Sequence, residues 1–159
     1  MVEDYSGLMS IYSKESPDLL RNAFDSILAQ TILPKEFVCV LDGPIGLKLT
    51  EVVKWFKSEC SNRNIKIVFV KNPVNCGLGI SLAEGLRACS YEYIGRFDSD
   101  DLNNPERMEV MLNYMNEDKN QDIAVVGSQI AEFSDSPQRL IGRRKVPISF
   151  NEVAQKVFL

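Results

Sequence analysis

The chain alternates between short, nearly continuous apolar runs and longer segments whose apolar residues recur every three or four positions. Gly7-Leu8-Met9-Ser10-Ile11-Tyr12 reads as a first strand. Ser16-Pro17 then opens a helix, with serine as the cap and proline at the first helical position. Leu19, Leu20, Ala23, Phe24, Ile27 and Leu28 form its apolar stripe. Beyond Pro34, the run Glu36-Phe37-Val38-Cys39-Val40-Leu41 predicts a strand covered on both faces, ending at Asp42-Gly43-Pro44.

The pattern then repeats. A helix is expected over 48–60, with Val52, Val53, Trp55 and Phe56 inward, followed by a strand at Ile65-Lys66-Ile67-Val68-Phe69-Val70. A third helix is expected from about Leu78 to Cys89, with Gly85 allowing close approach to the sheet. A fourth strand runs into Phe97-Asp98-Ser99-Asp100-Asp101, and Asn104-Pro105 caps a fourth helix carrying Met108, Met111, Leu112 and Met115 on one face. That methionine stripe reads as core packing. Ile123-Ala124-Val125-Val126-Gly127 predicts a fifth strand, which Gln129 to Phe133 continues or pairs with. Strand–helix units in succession imply an α/β fold with an open, mostly parallel sheet flanked by helices.

Composition narrows the chemistry. The 159 residues suit one domain, with 45% hydrophobic and 25% charged residues. A formal charge of -4 argues against a nucleic-acid partner. No apolar run reaches the length of a bilayer span. Met1-Val2-Glu3-Asp4 leads into the first strand without a signal-peptide pattern. The four cysteines, Cys39, Cys60, Cys76 and Cys89, form no CxxC pair and read as free thiols of a reducing cytoplasm. Histidine is absent, which removes Ser-His and Cys-His nucleophilic machinery. Catalysis then falls to carboxylates, backbone amides and an oxygen-bound metal.

Those carboxylates are grouped. In a parallel α/β sheet, ligands sit beyond the carboxyl ends of the strands. The loops leaving those ends carry Tyr12-Ser13-Lys14-Glu15, Asp42-Gly43-Pro44 and Asp98-Ser99-Asp100-Asp101. If the last segment stays extended, Asp98 and Asp100 share one side and Ser99 points the other way. Two such carboxylates suit Mg2+ or Mn2+ together with a substrate phosphate. A solvated acidic turn before a helix is the competing reading. Asp42 either accepts a ligand N–H or starts a tight turn. Asn75-Cys76-Gly77-Leu78-Gly79 either cradles a phosphate or packs a loop against a helix.

The order of these pieces is more specific than any one of them. Leu8-Met9-Ser10-Ile11-Tyr12-Ser13-Lys14-Glu15, Ser26-Ile27-Leu28-Ala29-Gln30-Thr31, Val40-Leu41-Asp42-Gly43-Pro44, Asn75-Cys76-Gly77-Leu78-Gly79 and Phe97-Asp98-Ser99-Asp100-Asp101 occur in sequence. Together they resemble the nucleotide-sugar domain of family 2 glycosyltransferases of the GT-A fold, of the bacterial polysaccharide and lipopolysaccharide type. The resemblance implies a Rossmann-like nucleotide-diphospho-sugar transferase fold. It implies a UDP-sugar or other nucleotide-diphosphate donor, Mn2+ or Mg2+, inversion at the anomeric carbon, and a glycan or lipid-linked acceptor. By the same likeness, Ser10, Tyr12 and Glu15 cradle the nucleoside, Asp42 meets the base, and Asn75 and Gly77 complete the donor set. Asp98 lies near ribose and metal, and Asp100 is the principal metal ligand. Ser13 and Ala83 depart from the asparagines usual in the family.

The resemblance covers roughly 7–133 and divides the chain into a donor-binding part, 1–133, and the start of an acceptor-side region, 134–159, cut short at its C-terminus. It implies an acidic general base in the acceptor half. Glu132, Asp135 and Glu152 are the carboxylates available, and none stands in a matching motif, so the base is expected outside the chain and the chain alone is expected to be inactive. The full enzyme is expected in the cytoplasm, peripheral to the inner face of the membrane. Two rivals fit less well. A sugar-phosphate nucleotidyltransferase wants a glycine-rich basic loop after the first strand, where Ser10 to Ser16 has no glycine and only Lys14. A receiver-like interaction module places its acids after the first strand, whereas here they gather after the fourth.

Overall fold

The computed structural model describes residues 4–117, 123–134, 138–147, 149 and 152. Its contacts divide the chain into two compact units, Met1–Gln121 and Asp122–Leu159. The first unit contains β1 (Tyr5–Tyr12), α1 (Pro17–Leu28), β2 (Glu36–Asp42), α2 (Leu47–Asn62), β3 (Lys66–Asn72), α3 (Leu78–Ala88), β4 (Tyr93–Arg96) and α4 (Arg107–Met115). The predicted strands and helices of this unit are all present, within a few residues of their expected ends.

The sheet order is β3-β2-β1-β4, and every pairing is parallel. The strands alternate faces. Tyr5, Met9 and Ile11 of β1, with Phe37 and Cys39 of β2, join one core with α1, α2 and Met108 and Leu112 of α4. Leu8, Val38 and Val40 face the opposite way, packed with Leu82 of α3. Burial on both faces explains the unbroken apolar runs in β1 and β2. At the centre, Phe24 stacks on Phe56 with centroids 3.7 Å apart, and Phe37 stands edge-on to both.

The helices follow their predicted stripes with two adjustments. Ser16 caps α1 by accepting the Leu19 amide, as expected, but Leu19 itself is exposed. The inward face of α2 is Leu49, Val53, Phe56 and Cys60, with Val52 and Trp55 at its flanks. Gly85 packs as expected: a Cβ there would lie 2.4 Å from Leu8 Cδ1. At α4, Asn104 does not occupy the cap position; its Oδ1 accepts the Glu106 amide in a turn one step earlier.

The second unit corrects one expectation. Ile123 to Gly127 is not a strand; β5 (Ile130–Phe133) pairs instead with β6 (Leu140–Arg144), antiparallel, in a separate two-stranded sheet. An apolar run becomes a strand only when a partner supplies its hydrogen bonds, and here β5 takes as its partner the segment that begins at Leu140. Arg144 pairs with Glu132 across this hairpin at 2.6 Å.

Candidate functional site

Strand order dictates where a ligand can enter. The chain winds from β1 through β2 to β3, then crosses back to place β4 on the other side of β1. The direction of winding reverses between β1 and β4, and their carboxyl ends diverge to leave a crevice. Tyr12 and the loop to Glu15 leave one lip of it, and Phe97-Asp98-Ser99-Asp100 leaves the other.

Side chains keep their alternation beyond β4. Phe97 and Ser99 are buried, whereas Asp98 is half-buried and Asp100 exposed. The two carboxylates therefore point away from the core together, although a turn begins at Ser99. Glu15 closes the group from the β1 side. Its pKa is raised, first by burial and then by the charges of Asp100 and Asp98, while a hydrogen bond with Ser99 works against the rise. Asp101 is also raised, by burial and then by Asp100 and Asp98. Carboxylates from both lips of the crevice thus lie close enough to repel one another.

Two arginines temper that charge. Arg96 Nη2 pairs with Asp98 Oδ1. Arg107 donates to Asn103 Oδ1 at 2.8 Å and to the Arg96 carbonyl at 3.0 Å, with its guanidinium 5.0 Å from the Phe97 ring. Neither was singled out from sequence. Arg96 was readable, since residues two apart in a strand share a side; Arg107 reaches the site from α4 and was not.

Asp42 forms a second group. It lies opposite Tyr12 at the end of β2 and is buried. Its Oδ1 accepts the Cys76 amide at 2.8 Å and Asn72 Nδ2 at 3.0 Å, and its Oδ2 accepts the Gly77 amide at 2.9 Å. Asn72 also donates to the buried Ser81 hydroxyl at 3.1 Å. Burial raises the Asp42 pKa, but the Cys76 amide, Asn72, Ser81 and the Gly77 amide outweigh it and leave the group below its ordinary value. A carboxylate offers about four acceptor positions, so these four donors account for its hydrogen-bonding capacity. Asn75 Nδ2 reaches the Asp42 carbonyl at 3.5 Å, and Gly77, at φ +86°, starts α3. The glycine loop is therefore held against the end of β2. Asn72 and Ser81 were missed because their link to Asp42 depends on strand register.

Because β2 and β4 flank β1, the two groups stand about 10 Å apart across the sheet. Ser10, half-buried, and Tyr12, exposed, lie on the strand between them. An extended ligand with a cyclic group at one end and anionic oxygens at the other matches that spacing. Among the described residues, no three His, Cys, Asp or Glu side chains are gathered to hold a metal unaided. Asp98 and Asp100 fit a hard ion that takes its other oxygens from a phosphate.

Other carboxylates have partners of their own. Glu132 is engaged with Arg144 in the hairpin, Glu152 accepts from Ser149, and Asp135 lies outside the described residues. Glu36, fully buried, sits at the opposite end of β2 from Asp42 and is satisfied by Ser6, Lys66 and Ser90. All four cysteines are free thiols. Among the described residues, no helix is long and apolar enough to cross a membrane.

This chain resembles known proteins in both sequence and fold. The family model described as glycosyl transferase family 2 matches residues 8–156. An uncharacterized glycosyltransferase of Haemophilus influenzae is 37% identical over 149 residues, covering 94% of this chain and 53% of the relative. The UDP-Gal:alpha-D-GlcNAc-diphosphoundecaprenol beta-1,3-galactosyltransferase of Escherichia coli is 35% identical, covering 90% of this chain and 50% of the relative. The amylovoran biosynthesis glycosyltransferase AmsE of Erwinia amylovora is 31% identical over 152 residues. The chain spans about half the length of these relatives. In fold, it resembles the mannosyltransferase PcManGT of Pyrobaculum calidifontis, solved with GDP-Man and Mn2+, at TM-score 0.63 and 16% identity over 74% of this chain and 34% of that one. Staphylococcus aureus TarS in complex with UDP gives TM-score 0.58 at 21% identity over 71% and 32%. The architecture is thus the GT-A fold expected from sequence, and the chain belongs to glycosyl transferase family 2.

Proposed function

We propose that this chain carries the donor-binding part of an inverting, metal-dependent glycosyltransferase of cell-surface polysaccharide synthesis. It takes a nucleotide-diphosphate sugar, a UDP-sugar in this reading, and serves a glycan or lipid-linked acceptor at the inner face of the membrane. The observation that carries the proposal is the placement of Glu15, Asp98 and Asp100 around the crevice between β1 and β4, with the buried Asp42 at the end of β2 on the other side of β1.

Each residue has a task in this reading. Asp42 meets the base in this reading, held in place by Asn72, Cys76 and Gly77. Ser10, Tyr12 and Glu15 border the nucleoside, and Asn75 and Gly77 bound the loop beside it. Asp98 and Asp100 hold Mn2+ or Mg2+, and Asp98 also lies nearest the ribose. The ion, when bound, neutralises the diphosphate as it leaves. None of these residues is assigned to take the acceptor proton; that task falls to a carboxylate outside this group.

The names of the relatives support the donor and acceptor classes: the Escherichia coli protein is named for UDP-Gal and a diphosphoundecaprenol acceptor. The solved neighbours, one with GDP-Man and Mn2+ and one with UDP, support a nucleotide ligand. Calorimetry with UDP, GDP and their sugar conjugates, with and without Mn2+, tests the proposal. Metal-dependent UDP binding is expected. Binding of UTP with a sugar 1-phosphate and release of pyrophosphate would overturn it in favour of nucleotidyl transfer.

A further inference from the structure

We propose that Arg96 alternates between two partners: it neutralises Asp98 when the metal is absent and binds the donor diphosphate when the metal is present. The inference rests on the reading of Asp98 and Asp100 as the metal-facing carboxylates, and it assigns a residue which that reading leaves out.

Arg96 is the last residue of β4, and Asp98 follows two positions later on the same side of the chain. Their side chains form an ion pair at the rim of the crevice, with the Arg96 side chain 50% exposed. The neighbouring guanidinium has no such freedom. Arg107 is committed to Asn103 and to the Arg96 carbonyl, and lies over Phe97. Arg96 is therefore the arginine of this pair that can change partners without disturbing the core. Its guanidinium carries five donors in a planar fork, and the pairing with Asp98 leaves several of them for another anion.

Charge balance supplies the driving force. Glu15 from the β1 lip and Asp98, Asp100 and Asp101 from the β4 lip crowd together, and Glu15 and Asp101 both feel Asp98 and Asp100 as repulsive neighbours. With no metal bound, Arg96 supplies positive charge to that group. With a divalent ion on Asp98 and Asp100, Arg96 stands beside a like charge and loses its partner. The diphosphate that accompanies the ion presents anionic oxygens that guanidinium groups bind bidentately. Metal alone must displace Arg96 without offering it a new partner; metal with diphosphate does offer one. Arg96 thereby couples the two binding events, and the coupling is reciprocal.

An Arg96→Met variant separates the two roles, because it keeps much of the side-chain length and removes the charge. Titration with Mn2+ alone, followed by the electron paramagnetic resonance of free Mn2+, is expected to show binding tighter by about two- to fivefold, the worth of an exposed ion pair. Titration with UDP at saturating Mn2+ is expected to show binding weaker by about tenfold, the scale of a charge-assisted hydrogen bond. Arg96→Lys should restore the weaker Mn2+ binding and only part of the UDP affinity. Opposite shifts cannot come from a merely structural role, which would weaken both. Shifts of the same sign, or no shift, overturn the proposal. Asp98→Asn serves as the control: if it leaves Mn2+ binding unchanged, the metal reading fails and takes this proposal with it. If it weakens Mn2+ binding while Arg96→Met fails to strengthen it, only the Arg96 assignment falls.

Discussion

The Asp42 carboxylate accepts the Gly77 amide at 2.9 Å, joining the end of β2 to the first turn of α3 across 35 residues of chain. With the Cys76 amide at 2.8 Å it makes a two-pronged grip on the glycine loop. Asp42 therefore shapes the site before any ligand arrives. Its side chain is a building element that ties the glycine loop to the sheet.

Removing that carboxylate strands two backbone donors. Asp42→Ala is expected to cost about 2–4 kcal/mol, since unsatisfied groups carry their full desolvation penalty. Urea denaturation measures it, and a loss under about 0.5 kcal/mol, the range of an ordinary surface change, would show the grip to be inconsequential.

Acid should weaken the fold through the same residue and through Glu36. Burial raises the Glu36 pKa, but Lys66, the Ser90 amide and hydroxyl, and Ser6 outweigh it, so both carboxyls titrate below their ordinary values. A carboxyl with a depressed folded pKa binds fewer protons folded than unfolded. Its contribution is complete above the ordinary carboxyl range, about pH 4, and is lost as pH falls through the folded value. Urea midpoints measured from pH 7 to 3 should decline below about pH 4, and Glu36→Gln should flatten that decline.

Gln30 should prove to be the clasp behind the acidic turn. It is buried; its Nε2 donates to the Asn104 carbonyl at 2.7 Å and its Oε1 accepts the Met108 amide at 3.1 Å. Ser26 Oγ accepts from Asn103 N and Nδ2, each at 3.1 Å. The end of α1 thus holds the segment that follows Asp101. Gln30→Leu is expected to cost about 1–3 kcal/mol and to speed hydrogen exchange across 103–108 while leaving β1 and β2 protected. Unchanged exchange there would dismiss the clasp.

Two glycines in α3 should respond in opposite directions to alanine. At Gly85 a new methyl would meet Leu8 Cδ1 at 2.4 Å and Val40 Cγ2 at 2.7 Å, so a loss of about 1–3 kcal/mol is expected from overpacking. At Gly79 nothing lies within 4 Å, and alanine should stabilise by up to about 1 kcal/mol through helix propensity. Thermal melts of both variants check the contrast.

The sequence made local periodicity plain and long-range pairing obscure. Strands β1 and β2 were legible because burial on both faces leaves unbroken apolar runs such as Phe37 to Leu41. Helix α1 was legible because Ser16-Pro17 carries its own start signal. The order of acidic loops could be read because strand ends place ligands, and the family likeness gave the order a meaning. The false strand at Ile123 to Gly127 had the right composition and no partner, a property that no window of sequence contains. Asn72 and Ser81 escaped notice for a related reason: they matter through register with Asp42 and through the start of α3. Gln30 and Ser26 were visible as part of a motif, but their task became clear only when α1 was seen to end beside Asn104.

The central claim is that Asp98 and Asp100 bring a nucleotide diphosphate to this crevice through a divalent ion. Calorimetric titration of UDP with and without Mn2+, on this chain and on its Asp100→Ala variant, tests it most directly. The account predicts binding that needs Mn2+ and that weakens by at least about tenfold when Asp100 is removed. UDP binding that is independent of Mn2+ and unchanged in Asp100→Ala would contradict it.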